Sequence, residues 1–271
     1  YLEAPSPYAL YLLTGYAGTG KTYLLRSITE AATRAGLHVE LMASTGRAAK
    51  VLTGATGRQA STIHRTIYRA STQLQEEGGS FQLGRVSAGR PTLFIVDEAS
   101  MISGDTGEVT PFGSGNLLDD LLAYVWSADE SKLILVGDTA QLPPVGTPLS
   151  DALNAEVLTS RYGLEVYGTE LREVVRQKKG GILHNATQLR QLLEASADLD
   201  PEELLPIHLE TEGWRGIFAV EPGEFINTID EAYRRYGVEE CLVICPSNKK
   251  ALECNHAIRS AVLYYEEEAV V

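Results

Sequence analysis

Residues Tyr8–Thr22, YALYLLTGYAGTGKT, decide the fold: an apolar run breaks into glycines and closes on a lysine and a threonine. Such a run, followed by an amphipathic segment from Lys21 to about Ala35, reads as a buried strand, a loop and a helix. The loop has the spacing G-x-x-x-x-G-K-[ST] at Gly15, Gly20, Lys21 and Thr22, with Gly18 between. Several main-chain N–H groups can therefore converge where side chains would obstruct them, a geometry that suits a triphosphate. The helix start adds partial positive charge, Lys21 can reach the β- and γ-phosphates, and the Thr22 hydroxyl can ligate magnesium. A plain Gly-rich turn is the competing reading; the strand before and the helix after count against it.

Outward from this stretch, short apolar runs alternate with amphipathic ones: Tyr8–Leu13, Tyr23–Ala35, His38–Ala43, then a Gly/Ala/Thr-rich segment. That alternation predicts an α/β fold with a parallel sheet flanked by helices, and ligands at the carboxyl ends of the strands. Thr92–Ser100, TLFIVDEAS, is a strand ending in two carboxylates. Asp97 would hold magnesium, mostly through water, while Glu98 would orient and deprotonate the water that attacks the γ-phosphate. A chance acidic strand end is the alternative. Lys132–Gly146, KLILVGDTAQLPPVG, is another strand, running into a loop with Asp138, Gln141 and Pro143-Pro144. The Gln141 amide could sense the γ-phosphate and the stiff prolines pass the change on; alone, the segment reads as a turn. In Glu170–Lys179, ELREVVRQKK, a helix would space Arg172 and Arg176 one turn apart, as an arginine finger in cis or as a solvated helix end.

The 271 residues, 44% hydrophobic and 22% charged, suffice for one large or two modest domains. A net charge of -13 argues against a generally basic nucleic-acid coat. The distribution points the other way locally: Leu41–Ala70 holds Arg47, Lys50, Arg58, Arg65 and Arg69 and no acid, while Asp198–Glu240 is dense in acids. Within the basic stretch, Ala43–Leu52, ASTGRAAKVL, could hold a nucleic-acid backbone through amides, hydroxyls and cations, or be an ordinary helix start. In Ser61–Tyr68, STIHRTIY, Ser61 or Thr62 could cap a short helix bearing His64 and Arg65, with His64 structural or facing nucleic acid. Thr72–Val86 alternates around Gly78-Gly79, as a β-hairpin or a flexible insertion.

Ile182–Ala195 and Pro222–Tyr236 read as helices joined by an irregular acidic stretch. From Glu240 the strand-helix pattern returns in CLVICPSNKKALECNHAIRSAV, with Ser247 or Asn248 as cap, opening a second α/β domain. Cys241, Cys245 and Cys254 read as packed thiols in a reducing compartment, because no Cys or His pair at zinc spacing accompanies them. The chain lacks an apolar run of about eighteen residues and a basic amino-terminal region, so no membrane and a cytoplasmic location are expected.

In this order, GYAGTGKT, ASTGRAAKVL, STIHRTIY, IVDEASMI, LVGDTAQLPPVG, LREVVRQ and LVICPSNKKALECNHAIR closely resemble the superfamily 1B DNA helicases of the RecD-like and Dda-like branch. The resemblance spans roughly Tyr8 to Ala261, strong through Gln177 and thin between Lys178 and Glu239. It implies a RecA-like P-loop NTPase domain over residues 1–180 with a hairpin insertion at about 72–86, a connection over 181–239, and the start of a second RecA-like domain over 240–271. It implies ATP or ADP and Mg2+ as cofactors, with Gly15, Ala17, Gly18, Thr19, Gly20, Lys21, Thr22 and Tyr23 around the nucleotide and Thr22 and Asp97 on the metal. Lys21, Glu98, Gln141 and Arg176 would act on the γ-phosphate, while Thr45, Arg47, Thr62 and His64 would face single-stranded DNA. The implied activity is a 5′-to-3′ DNA helicase or translocase of a bacterial repair or recombination machinery, whose subunits would be protein partners. The family's adenine-reading glutamine motif would lie ahead of Tyr1 and its later motifs beyond Val271, so a fragment of impaired activity is expected. Two alternatives stand beside it: a nucleotide-dependent DNA clamp that does not translocate, and a P-loop ATPase of another kind.

Overall fold

The computed structural model describes residues 1–4, 6–70, 81–86, 89–102, 104, 111–128, 130–144, 150–173, 180–196 and 206–263. The chain divides into two compact units, Tyr1–Lys178 with Leu193–Ala197, and Lys179–Leu192 with Asp198–Val271.

The strands of the first unit are β1 (Ala9–Gly15), β2 (His38–Ala43), β3 (Ala60–Thr62), β4 (Tyr68–Ala70), β5 (Phe81–Leu83), β6 (Thr92–Asp97), β7 (Ser131–Gly137) and β8 (Glu165–Leu171). Its helices are α1 (Lys21–Arg34), α2 (Gly46–Thr56), α3 (Ile63–Ile67), α4 (Leu117–Val125) and α5 (Ala155–Ser160). Six strands form one sheet in the order β3-β2-β6-β7-β1-β8, each neighbouring pair parallel. This is the expected parallel α/β architecture. All six residues of β6 are buried, which is why its sequence runs apolar without alternation.

Alternate residues of these strands feed two separate cores, as a period of two requires. Leu10, Leu12, Phe94, Val96, Leu133 and Leu135 pack with Leu118, Leu121 and Leu122 of α4 on one face. Leu13, Leu41, Leu93, Ile95 and Val136 pack with Leu25 of α1 and Leu52 of α2 on the other. At about 1.5–3 kcal/mol for each buried aliphatic side chain, these two cores hold the sheet while its carboxyl edge stays free for polar groups.

Two local expectations change. Glu170 and Leu171, expected in a helix, close strand β8, which pairs with β1 from Ala9–Glu165 to Gly15–Leu171. β8 is a largely exposed edge strand, so its sequence EVYGTEL carries no apolar run to announce it. The hairpin starts earlier than expected, with β4 pairing antiparallel to β5 in the register Tyr68–Leu83, Arg69–Gln82 and Ala70–Phe81. Its Gly78-Gly79 turn lies outside the described residues.

The remaining helices are α6 (Gly181–Ser196), which lies in the second unit as far as Leu192, and α7 (Phe225–Tyr236) and α8 (Asn248–Ala261), both within that unit. The Ser247 hydroxyl accepts from the Lys250 amide at 3.2 Å and caps α8. Cys241–Cys245 precedes it without a strand partner among the described residues. No helix among the described residues is long and apolar enough to cross a membrane.

Candidate nucleotide and nucleic-acid site

The parallel register brings the carboxyl ends of β1, β7 and β8 level, through Thr14–Gly137 and Gly15–Leu171. A Cβ on Gly15 would lie 2.5 Å from the Leu171 carbonyl oxygen, so the close approach of β8 excludes any larger residue there. Gly18 and Gly20 take left-handed φ values of 82° and 93°, which turn the chain back into α1. Gly20 is the N-cap of α1; it provides no side-chain acceptor, and the first turn holds no acid. A side-chain acceptor at this helix start is missing where most helices have one, as an incoming anion requires.

Lys21 Nζ donates to the carbonyls of Gly15 and, at 3.0 Å, Tyr16. The Thr19 hydroxyl donates to the same Tyr16 carbonyl at 2.7 Å and is buried, so Thr19 braces the loop from within. Ala17 and Tyr23 are exposed, and Thr22 is half-buried at the first turn of α1.

Strand β6 delivers Asp97, only 6% exposed, whose Oδ1 accepts from the Glu98 amide at 3.0 Å. Burial pushes the Asp97 carboxyl above its ordinary range, against the Glu98 amide bond and the Lys21 charge. Burial also pushes Glu98 up, followed by repulsion from Asp97, while Lys21 opposes and Asp138 adds to the rise. Three carboxylates and one ammonium thus feel one another at this edge. No cluster of three or more His, Cys, Asp or Glu among the described residues is arranged to cage a metal. Magnesium needs no such cage, since it keeps waters and takes one or two carboxylates beside the phosphates.

At the end of β7, Asp138 is buried, its carboxylate accepts from the Ala140 amide at 2.9 Å, and its carbonyl accepts from the Gln141 amide at 3.2 Å. This turn exposes Gln141 and borders a cavity of about 220 Å³ lined by Ser100, Asp138, Gln141, Pro143, Ser150 and Asn154 among others. Sequence reading assigned Asp138 no role, although its place after an apolar strand repeats that of Asp97. Arg176 lies outside the described residues. Arg172 is paired with Glu170 at 2.8 Å.

Across the sheet, the pairs Ala43–Thr62 and Ala43–Asp97 put the ends of β3, β2 and β6 in one row. Thr45 and Thr62 are therefore brought to the same edge as the carboxylates. Their hydroxyls act as acceptors in helix caps: Thr45 caps α2 through the Ala48 amide and Thr62 caps α3 through the Arg65 amide, both at 3.2 Å. Arg47 and Lys50 are exposed on α2. His64 is half-buried with its ring 5.1 Å from Phe112 and 5.7 Å from Tyr68, and burial lowers its pKa. Its imidazole is a neutral packing element at neutral pH.

Tyr68 also donates to Asp120 Oδ2 at 2.7 Å, and the Ser114 amide donates to the same oxygen at 2.9 Å. Asp120 is 5% exposed, and this buried latch ties the base of the hairpin to α4. No sequence pattern announced it, because its partners lie far along the chain.

A family model described as an AAA domain matches residues 4–201. The ATP-dependent RecD2 DNA helicase of Deinococcus radiodurans is 33% identical over 183 residues, 68% of this chain and 23% of that protein. The ATP-dependent DNA helicase dda of Enterobacteria phage T4 is 31% identical over 182 residues, 66% of this chain and 37% of that protein. This chain thus spans well under half the length of these curated relatives. Among solved structures, the Pif1 helicase of Candida albicans aligns with a TM-score of 0.41 at 23% identity, over 68% of this chain and 40% of that one.

Proposed function

Because the chain belongs to the AAA domain family, within the RecD-like and Dda-like superfamily 1 helicases, we propose that it is the ATP-hydrolysing core of a DNA translocase. The observation that carries this reading is Lys21, folded onto the carbonyls of an uncapped phosphate loop beside the raised carboxyls of Asp97 and Glu98. An incoming triphosphate would offer the Lys21 ammonium oxygens with full charge in place of neutral carbonyls, and charge-assisted bonds are the stronger. Gly15, Ala17, Gly18, Thr19, Gly20 and Tyr23 would complete the cradle, with Thr19 acting mainly by holding the loop in shape.

The Thr22 hydroxyl and Asp97 would hold magnesium, which would supply positive charge against the phosphates. Glu98 would accept the proton of the attacking water, and its raised pKa suits that role. Gln141, on its exposed turn, would report the γ-phosphate, and Arg176 would complete the charge balance.

Single-stranded DNA would run along Thr45, Arg47, Thr62 and His64. The Thr45 and Thr62 hydroxyls accept the cap bonds and keep their own O–H for a phosphate oxygen, beside the Arg47 cation. Residues 1–180 would form a first RecA-like domain and 240–271 the beginning of a second, with translocation running 5′ to 3′ in the cytoplasm of a cell where recombination or repair subunits assist it.

Titrating the ATPase rate of the full-length protein against single-stranded DNA tests the proposal. A saturable rise in rate, together with strand displacement from a 5′ tail, is expected. Stimulation without displacement would make it a clamp, and no response to DNA would make it a P-loop ATPase of another kind. Arg47→Ala should lower the slope of log affinity against log salt by about one counterion.

A further inference from the structure

We infer, on the basis of the proposed path of single-stranded DNA past His64, that Asp120 is a positioning residue for that strand. It fixes the His64 ring through Tyr68 and through the turn that carries Phe112. The three aromatic rings form a triangle: His64 lies 5.7 Å from Tyr68 and 5.1 Å from Phe112, which are 5.3 Å apart. Both of the rings that His64 meets lead to one oxygen. Asp120 Oδ2 accepts from the Tyr68 hydroxyl at 2.7 Å and from the amide of Ser114, two residues beyond Phe112, at 2.9 Å.

The latch connects a fixed frame to a short lever. Helix α4 is anchored to the sheet by Leu118, Leu121 and Leu122, whereas α3 has only five residues, with Tyr68 as its C-cap. So short a helix has too few hydrogen bonds of its own to hold its direction. Ile63 and Ile67 bury α3 in the core, but apolar contacts are non-directional and hydrogen bonds are not. Replacing a buried hydrogen-bonded pair by apolar groups of the same shape can be nearly neutral for stability, so what Asp120 adds is direction. The hairpin shares the mount. The Phe81 amide donates to the Pro111 carbonyl at 2.8 Å, the Gly113 amide donates to the Phe81 carbonyl at 2.9 Å, and the Phe81 ring stacks on Phe112.

Asp120 and Tyr68 are 5% and 6% exposed, so neither reaches a ligand itself, whereas half-buried His64 does. Burial keeps the imidazole neutral, so it meets a base or sugar as a ring rather than a phosphate as a cation. Loss of the latch should then weaken binding of the strand without changing how that binding depends on salt, since a neutral ring releases no counterion.

The test measures binding of the full-length protein to a fluorescein-labelled oligothymidylate by anisotropy across a series of potassium chloride concentrations. Wild type is compared with His64→Ala, Asp120→Asn and Tyr68→Phe, and with His64→Ala combined with each of the latter two. His64→Ala should weaken binding about fivefold or more, as loss of one ring against a base does. Each latch variant should weaken it by at least about twofold, leave the salt slope and the DNA-free ATPase rate unchanged, and cause no further loss once His64 is alanine. Tyr68→Phe keeps the ring and its volume, so it reads the latch even where Asp120→Asn fails to fold. Undiminished affinity in His64→Ala would strike His64 from the DNA path and the role of Asp120 with it. Full-size losses in the His64→Ala background, a changed salt slope, or latch variants that bind like wild type would overturn the role of Asp120 alone.

Discussion

The amide of Glu98 donates to the carboxylate of Asp97 at 3.0 Å while Glu98 itself takes a left-handed backbone, φ 55° and ψ 42°. A left-handed non-glycine residue costs on the order of 1 kcal/mol or more, and here it follows strand β6 directly. The turn that follows β6 thus ties the Asp97 carboxylate to the backbone of its neighbour.

Acidification should stabilise the nucleotide-free chain through this pair. Asp97 and Glu98 keep protons in the folded state at pH values where unfolded carboxyls have lost them. Their contribution is therefore fully present below the ordinary carboxylate range of about pH 4 and is lost as pH rises through the raised values. His64 works oppositely: its lowered pKa costs stability as pH falls through about 6.5. Thermal unfolding against pH should show a flatter acidic limb in Asp97→Asn and a steeper gain on acidification in His64→Phe; unchanged limbs would disprove the coupling.

Lys21→Ala and Glu98→Gln should separate binding from chemistry. Removing the ammonium should weaken binding of a fluorescent ADP analogue by roughly tenfold or more, about 1.4 kcal/mol. Glu98→Gln should leave that affinity within about twofold and slow hydrolysis by about 10²–10⁴. Equal loss of affinity in both variants would contradict the roles.

Thr45→Ala should cost about 0.5–2 kcal/mol in urea unfolding, since it removes the acceptor for the Ala48 amide, and Thr45→Ser should recover most of it. If Thr45→Ala instead left stability untouched and only weakened DNA binding, its hydroxyl would belong to the ligand.

Gly113→Ala should destabilise by roughly 2 kcal/mol or more. Gly113 sits at φ 47°, and its added Cβ would fall 2.0 Å from Asp120 Oδ2 and 2.7 Å from Tyr68 Cε1. Asp120→Ala alone should cost about 1–3 kcal/mol by orphaning the Tyr68 hydroxyl and the Ser114 amide. A double-mutant cycle should give a double variant better than the sum of its parts, because truncating Asp120 removes the clash. Strict additivity would place Gly113 outside the latch.

The phosphate loop, the Asp97-Glu98 strand tip and the parallel sheet were legible in the residues, because glycine spacing and apolar runs are local properties of a few consecutive positions. Strand β8 was not: an edge strand buries too little for its residues to be apolar, and only its pairing with β1 makes it a strand. Residue order offered Ser61 or Thr62 as the cap of α3, and packing chose Thr62; it could not say that Thr45 caps α2, that Thr19 braces its own loop, or that His64 is packed against Phe112. Sequence by itself determined which side chains with phosphate and metal chemistry this protein carries at its strand ends. How deeply each of them is buried, and that His64 meets the distant Phe112 ring, was decided only when distant segments packed, since burial and aromatic partners come from neighbours in space.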